Sequence, residues 1–178
     1  MRGTRLYKKC YNSLIMSEII VIAHNIRSTH NIGSIFRTCE GFGVSKLIIS
    51  GYSPYPKLSD GDTRLPHIAE KLTLQIHKTA LGAETMVPFE HQDKPDLITL
   101  KSQGYKIVGL EQDQNSVMLK DYKPTEKTVL LLGEEVFGIT DDMRNMCDDL
   151  IEIPMVGIKE SFNVSVATGI ALYALKTS

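Results

Sequence analysis

The sequence predicts an α/β fold, a mostly parallel sheet with helices on both faces. Two observations carry this. Short apolar runs rich in β-branched residues recur at residues 18–24 (EIIVIAH), 46–50 (KLIIS), 105–110 (YKIVGL), 128–132 (TVLLL) and 150–153. Near-continuous apolar strands of this kind belong to sheets buried on both faces. Between them lie segments of helical period, and alternating strand and helix is the pattern of an α/β layer.

The elements follow in order. After the first strand, residues 25–30 are polar and turn-like. Residues 31–40 read as a helix with Ile32, Ile35, Phe36 and Cys39 on one face, ended by Gly41 and Gly43. The second strand leads into a loop over residues 51–64, where Pro54 and Pro56 forbid a central strand. Residues 65–79 have helical period through Ile68, Leu72, Gln75 and Ile76. A short strand is expected over residues 85–88 and a helix over 96–103, stopped by Gly104. Thr140 can cap a short helix over residues 141–147, whose two leading acids suit a helix N-terminus. The last helix is expected over residues 161–176, with small residues at Ala167, Gly169 and Ala171. Ligands in such sheets sit at the carboxyl ends of strands, so the loops after Leu110, Leu132 and Ile153 are the candidates.

Bulk properties bound the function. The 178 residues suffice for one domain with a full core. Twenty basic against twenty-one acidic residues give a net charge of -1, so any nucleic-acid surface must be a local patch. No apolar run is long enough for a membrane helix. Cys10, Cys39 and Cys147 are scattered and the five histidines show no ligand spacing, so neither a disulfide framework nor a metal is implied. Idle thiols fit a reducing cytoplasm. Residues 1–16 carry Arg2, Arg5, Lys8 and Lys9 and no acid, then Met16. They read as a basic extension, a disordered or non-native lead-in or an arm for RNA phosphate, ahead of a domain over residues 17–178.

Three segments carry candidate chemistry. In the first, Asn31 stands at a helix N-terminus, where its side chain could cap free amides. Gly33 admits another chain segment or a ligand, and Arg37 follows on a nearby face. A guanidinium fork suits phosphate. In the second, residues 132–139 (LGEEVFGI), a buried strand enters a Gly-bounded turn with two carboxylates, of which Glu135 could orient an arginine. The turn lacks Gly-Lys-Ser/Thr, and no GxGxxG is present, which argues against the usual nucleotide folds. In the third, residues 153–167 (IPMVGIKESFNVSVA), a strand ends in a Gly/Pro turn and a Ser-x-Asn-x-Ser stretch opens an apolar helix. Taken alone, it could be a helix capped by Ser161.

Together the three segments resemble the signature motifs of the SPOUT superfamily, in its TrmH-like branch of RNA ribose 2'-O-methyltransferases. The resemblance spans residues 18–175; Phe162 stands where leucine is usual. It implies an α/β sheet whose C-terminal segment threads a deep trefoil knot. S-adenosylmethionine would bind bent inside that knot, with Leu110, Gly133, Ile153, Met155, Ser161 and Phe162 as contacts. It implies transfer of the methyl group to a ribose 2'-oxygen, with Arg37, Asn31, Glu135, Ser161 and Asn163 as catalytic residues. Glu135 would fix Arg37 or Asn31. Family members are usually homodimers through the first and last helices. The small size favours tRNA over rRNA as substrate. A cofactor-binding RNA module without catalysis is the alternative, against which Arg37 argues. Tyr52, Tyr55, Lys57 and Arg64 of the loop over residues 51–64 are candidates for RNA contact, by stacking and charge.

Overall fold

The computed structural model describes residues 17–177, so the extension expected over residues 1–16 lies outside the described residues. Seven strands form one sheet: β1 (Glu18–His24), β2 (Lys46–Ser50), β3 (Phe89–Gln92), β4 (Lys106–Leu110), β5 (Val117–Met118), β6 (Lys127–Leu132) and β7 (Asp149–Glu152). Their order is β3-β2-β1-β6-β4-β7-β5, and every pairing is parallel. The apolar runs of β1 and β6 lie side by side at the centre, with Val21 opposite Leu130 and Ile22 opposite Leu131.

The helices are α1 (Thr29–Gly41), α2 (Pro66–Ala80), α3 (Leu97–Ser102), α4 (Asp141–Arg144) and α5 (Val164–Thr177). Successive side chains of a strand face opposite ways, and β1 shows it. Ile19, Val21 and Ala23 join a core with Ile32, Ile35 and Phe36 of α1, Ile76 of α2, and Ala171, Leu172 and Leu175 of α5. Ile20 and Ile22 join a second core with Leu97 and Leu100 of α3 and Met143 of α4. Phe36 is fully buried and meets Phe89 edge-on, with ring centroids 5.3 Å apart. No described helix is long and apolar enough to cross a membrane.

Several expectations are corrected. Residues 85–88 do not form a strand; a 3-10 turn at Ala83–Thr85 precedes β3, which starts at Phe89. Asn31 does not cap α1. Ser28 does, its hydroxyl accepting from the Asn31 N–H at 3.2 Å, which leaves the Asn31 side chain free for other partners. Ser161 does not cap the last helix either. α5 begins at Val164, and the Asn163 side chain accepts from the Ser165 N–H at 3.0 Å. Thr140 stands at the N-cap of α4 without a side-chain hydrogen bond, and that helix is a single turn.

Gly33 admits a chain segment. A Cβ there would overlap the Thr79 side chain and the Ile76 carbonyl of α2. Thr79 also donates to the His30 carbonyl at 2.9 Å. The glycine therefore sets the approach of α1 to α2, and through it the placement of Asn31.

Candidate active site

A cavity of about 360 Å³ opens at the carboxyl ends of β4, β6 and β7. A volume of this size is in the range of small-molecule sites, and its place is where parallel sheets bind ligands. Three chain segments wall it. Leu110 ends β4 and Glu111 and Gln112 follow it; Leu132 ends β6 and residues 133–136 and Gly138 follow it; Glu152 ends β7, Ile153 follows it, and residues 160–162 lead to α5. Five expected contacts line the cavity: Leu110, Gly133, Ile153, Ser161 and Phe162. Met155 is not among the lining residues, because it lies in the stretch between Ile153 and Glu160 that leaves the cavity wall.

The turn after β6 is held closed from within. The Glu134 N–H donates to the Gly138 carbonyl at 3.0 Å, and the Gly138 N–H donates back to the Glu134 carbonyl at 2.9 Å. Gly138 has φ +67°, in the left-handed region that favours glycine. A Cβ on Gly133 would run into the Gly138 backbone. This glycine makes room for its own turn, a reason the sequence alone did not distinguish from room for a ligand. Glu111 braces the turn from the β4 side, its carboxylate accepting from the Ile139 N–H at 2.7 Å.

The three motif segments meet through side chains. The Asn31 amide donates to Glu135 Oε1 at 3.2 Å, and Asn163 Nδ2 donates to Asn31 Oδ1 at 3.1 Å. Asn163 Oδ1 in turn accepts from the Ser165 hydroxyl at 2.7 Å. One chain of hydrogen bonds thus runs from the β6 turn through α1 to the start of α5. Of the two partners expected for Glu135, Asn31 is the one it bonds among the described residues. Arg37 lies further along α1, exposed and without a hydrogen-bond or ion-pair partner among the described residues.

The electrostatics have one sign. Glu111, Glu134, Glu135, Glu152 and Glu160 line the cavity, and no basic described residue does. Glu134 is paired with Arg27 at 2.5 Å, and the Arg27 N–H lies 3.4 Å from Glu135 Oε2. Such a wall favours a ligand that carries positive charge. The two described thiols do not line the cavity: burial pushes the Cys39 thiol far up and that of Cys147 to about 11. His24, at the end of β1, has its pKa lowered by burial and by Lys94, and it shares a hydrogen bond with Ser50. Among the described residues no group of three or more side chains could hold a metal ion.

Sequence reasoning missed Arg27, Glu134 and Glu160 as individual site residues. The signal that reaches them is their place in loops beside the carboxyl ends of parallel strands, which marks the loops but not which side chains turn inward.

The profile of the SpoU rRNA Methylase family matches residues 62–173. The tRNA (guanosine(18)-2'-O)-methyltransferase of Aquifex aeolicus is 35% identical over 158 residues, covering 88% of this chain and 67% of the relative. The 23S rRNA (guanosine-2'-O-)-methyltransferase RlmB of Vibrio vulnificus is 31% identical over 159 residues, covering 88% of this chain and 58% of the relative. In structure, an AdoMet-bound rRNA methyltransferase from Sinorhizobium meliloti superposes with a TM-score of 0.73 at 23% identity, over 91% of this chain and 59% of that one. The chain spans about two thirds of the length of the first of these relatives and less of the other two. It belongs to the SpoU rRNA Methylase family, the TrmH-like RNA methyltransferases of the SPOUT superfamily.

Proposed function

We propose that the chain is an S-adenosylmethionine-dependent RNA 2'-O-ribose methyltransferase, with tRNA as its substrate. The observation that carries this is the meeting of three distant segments, through Glu135, Asn31 and Asn163, beside an acid-walled cavity at the strand ends. The cavity fits the cofactor. The acidic lining, in which Glu134 is already paired with Arg27, favours a sulfonium and an ammonium group, and backbone groups of the β6 turn outside the Glu134–Gly138 pair offer hydrogen bonds to adenine or ribose. The structural neighbour from Sinorhizobium meliloti is itself AdoMet-bound. When bound, the cofactor supplies an electrophilic methyl group on sulfur.

The residues of the chain supply alignment and charge. Leu110, Gly133, Ile153, Ser161 and Phe162 hold the cofactor; Asn31, Ser161 and Asn163 orient the ribose; Glu135 fixes Asn31. The Arg37 guanidinium offers donors and no acceptor, so it is not the group that takes the 2'-hydroxyl proton. It grips the neighbouring phosphate and stabilises the charge that develops on the 2'-oxygen as the hydroxyl proton leaves to solvent. The reading includes the family's knot, in which residues 153–162 pass through the loops after β4 and β6. In support, the Gln112 side chain donates to the Glu160 carbonyl at 3.0 Å.

It also includes a homodimer through α1 and α5. Val166, Ile170 and Tyr173 form an exposed stripe on α5, at 51%, 36% and 62% exposure, beside α1. Light scattering is expected to give twice the chain mass, and a monomer would count against this arrangement.

The relative from Aquifex aeolicus favours tRNA, and the RlmB relative supports rRNA as the second reading. Labelled methyl transfer from S-adenosylmethionine into total tRNA and rRNA, followed by nucleoside mass spectrometry, tests both. A ribose-methylated nucleoside from tRNA is expected. A base-methylated product would overturn the reaction class, and tight cofactor binding without transfer would favour a non-catalytic module.

A further inference from the structure

Next to the cofactor cavity lies an open cleft of about 640 Å³, between the end of β1, the start of α1 and the loop after β2. The ion pair of Arg27 with Glu134 joins the two: Arg27 lines the cleft and Glu134 lines the cavity. Four side chains of the loop are candidates for RNA contact by composition, and the geometry sorts them. Arg64 is spent on its own loop. It donates to Asp62 at 2.9 and 2.6 Å, to the Tyr55 carbonyl at 2.8 Å and to the Pro56 carbonyl at 3.0 Å. Tyr55 is sandwiched. The Arg64 guanidinium sits 3.5 Å from its ring centre and the His91 ring 3.9 Å, and two groups that close must take opposite faces. Lys57 is paired with Glu70 at 3.3 Å. These three build the loop and leave nothing for a base to stack on.

Tyr52 is different. Its backbone is pinned: the Tyr52 N–H donates to Asn25 Oδ1 at 3.2 Å, and Ser53 receives the Ile26 N–H at 2.8 Å while donating to the Ala23 carbonyl at 3.1 Å. Asn25 and Gly51 both take positive φ to make this turn, and a Cβ on Gly51 would strike the Asn25 side chain. So rigid a turn holds up a ring that is 54% exposed and has no stacking partner among the described residues. Beside it the Arg27 side chain is 62% exposed, its guanidinium shared between the Tyr52 hydroxyl and Glu134, which together raise its pKa. A fixed, uncovered aromatic ring tied through its hydroxyl to a solvent-facing guanidinium is a pairing that suits single-stranded nucleic acid, the ring under a base and the fork on a phosphate.

We propose that Tyr52 and Arg27 form a subsite for the nucleotide adjacent to the methylated one, Tyr52 stacking on its base and Arg27 holding its phosphate. The identity of the RNA target rests on the function proposed above; the subsite itself is tested by binding alone. The chain contains no tryptophan, so Tyr52→Trp installs a single reporter. Titration with an unmodified tRNA transcript, in the absence of cofactor, is expected to quench it, because a base lies on the ring. Tyr52→Ala is expected to weaken tRNA binding roughly tenfold. Its loss in turnover falls on KM for RNA rather than on kcat, and S-adenosylmethionine affinity stays at the wild-type value. Tyr52→Phe, which keeps the ring and loses only the hydroxyl bonded to Arg27, recovers most of the RNA affinity. Unchanged RNA affinity in Tyr52→Ala would overturn the subsite, as would a parallel loss of cofactor affinity or full binding without quenching. If Tyr52 variants alter RNA binding while no RNA is methylated, the subsite stands and the methyltransferase reading fails.

Discussion

Arg37→Ala is expected to lower kcat for methyl transfer by at least about 10²-fold, the scale on which a single preorganised charge at a developing oxyanion acts. Cofactor affinity, read by calorimetry, is expected to stay at the wild-type value, because Arg37 is not among the residues that wall the cavity. The residue has the look of a group kept for substrate. It is exposed on α1, and no described carboxylate neutralises it. Arg37→Lys keeps the charge but not the planar fork, so only partial recovery is expected. A matching fall in cofactor affinity for Arg37→Ala would place the residue in the cavity and remove it from the chemistry.

Gly133→Val is expected to reduce S-adenosylmethionine affinity more than any single truncation of a lining side chain, by roughly tenfold or more, and to cost about 1–3 kcal/mol of stability through overpacking. The reason is internal. The new side chain meets the backbone of Gly138 and Ile139, which cannot move aside as a flexible side chain would. Opening the turn breaks both hydrogen bonds between Glu134 and Gly138 and withdraws Ile139 from Glu111. Urea unfolding and isothermal titration on the same protein separate the two effects. Unchanged cofactor affinity would show that the turn is not part of the cofactor wall.

The strands that were legible in the sequence are the ones whose chemistry is dictated by burial. β1, β2, β4 and β6 are apolar because both their faces are covered, and they were placed within a residue or so. β3 reads FEHQ, with no β-branched residue, and pairs only with β2 at the sheet edge. β5 is two residues long on the other edge. An edge strand is held by backbone bonds to one neighbour, and its side chains need not announce it. The site shows the same division. Motif residues that meet across space, Asn31, Glu135 and Asn163, were visible as residue types. Their mutual bonds depend on Ser28 taking over the cap and on α5 starting at Val164, and those are decisions of local geometry. Met155 was drawn in by a motif and left out by the path of its loop.

The hydrogen-bonded chain through Asn31 spans 104 residues to Glu135 and 132 to Asn163. Contacts so distant in sequence close late, after the entropy of long loops has been overcome. A nascent chain lacking its last helix has the sheet's central strands but only part of the cavity wall, since Val164 and Ala167 of α5 belong to that wall. The cavity is therefore complete only once α5 has docked on the sheet.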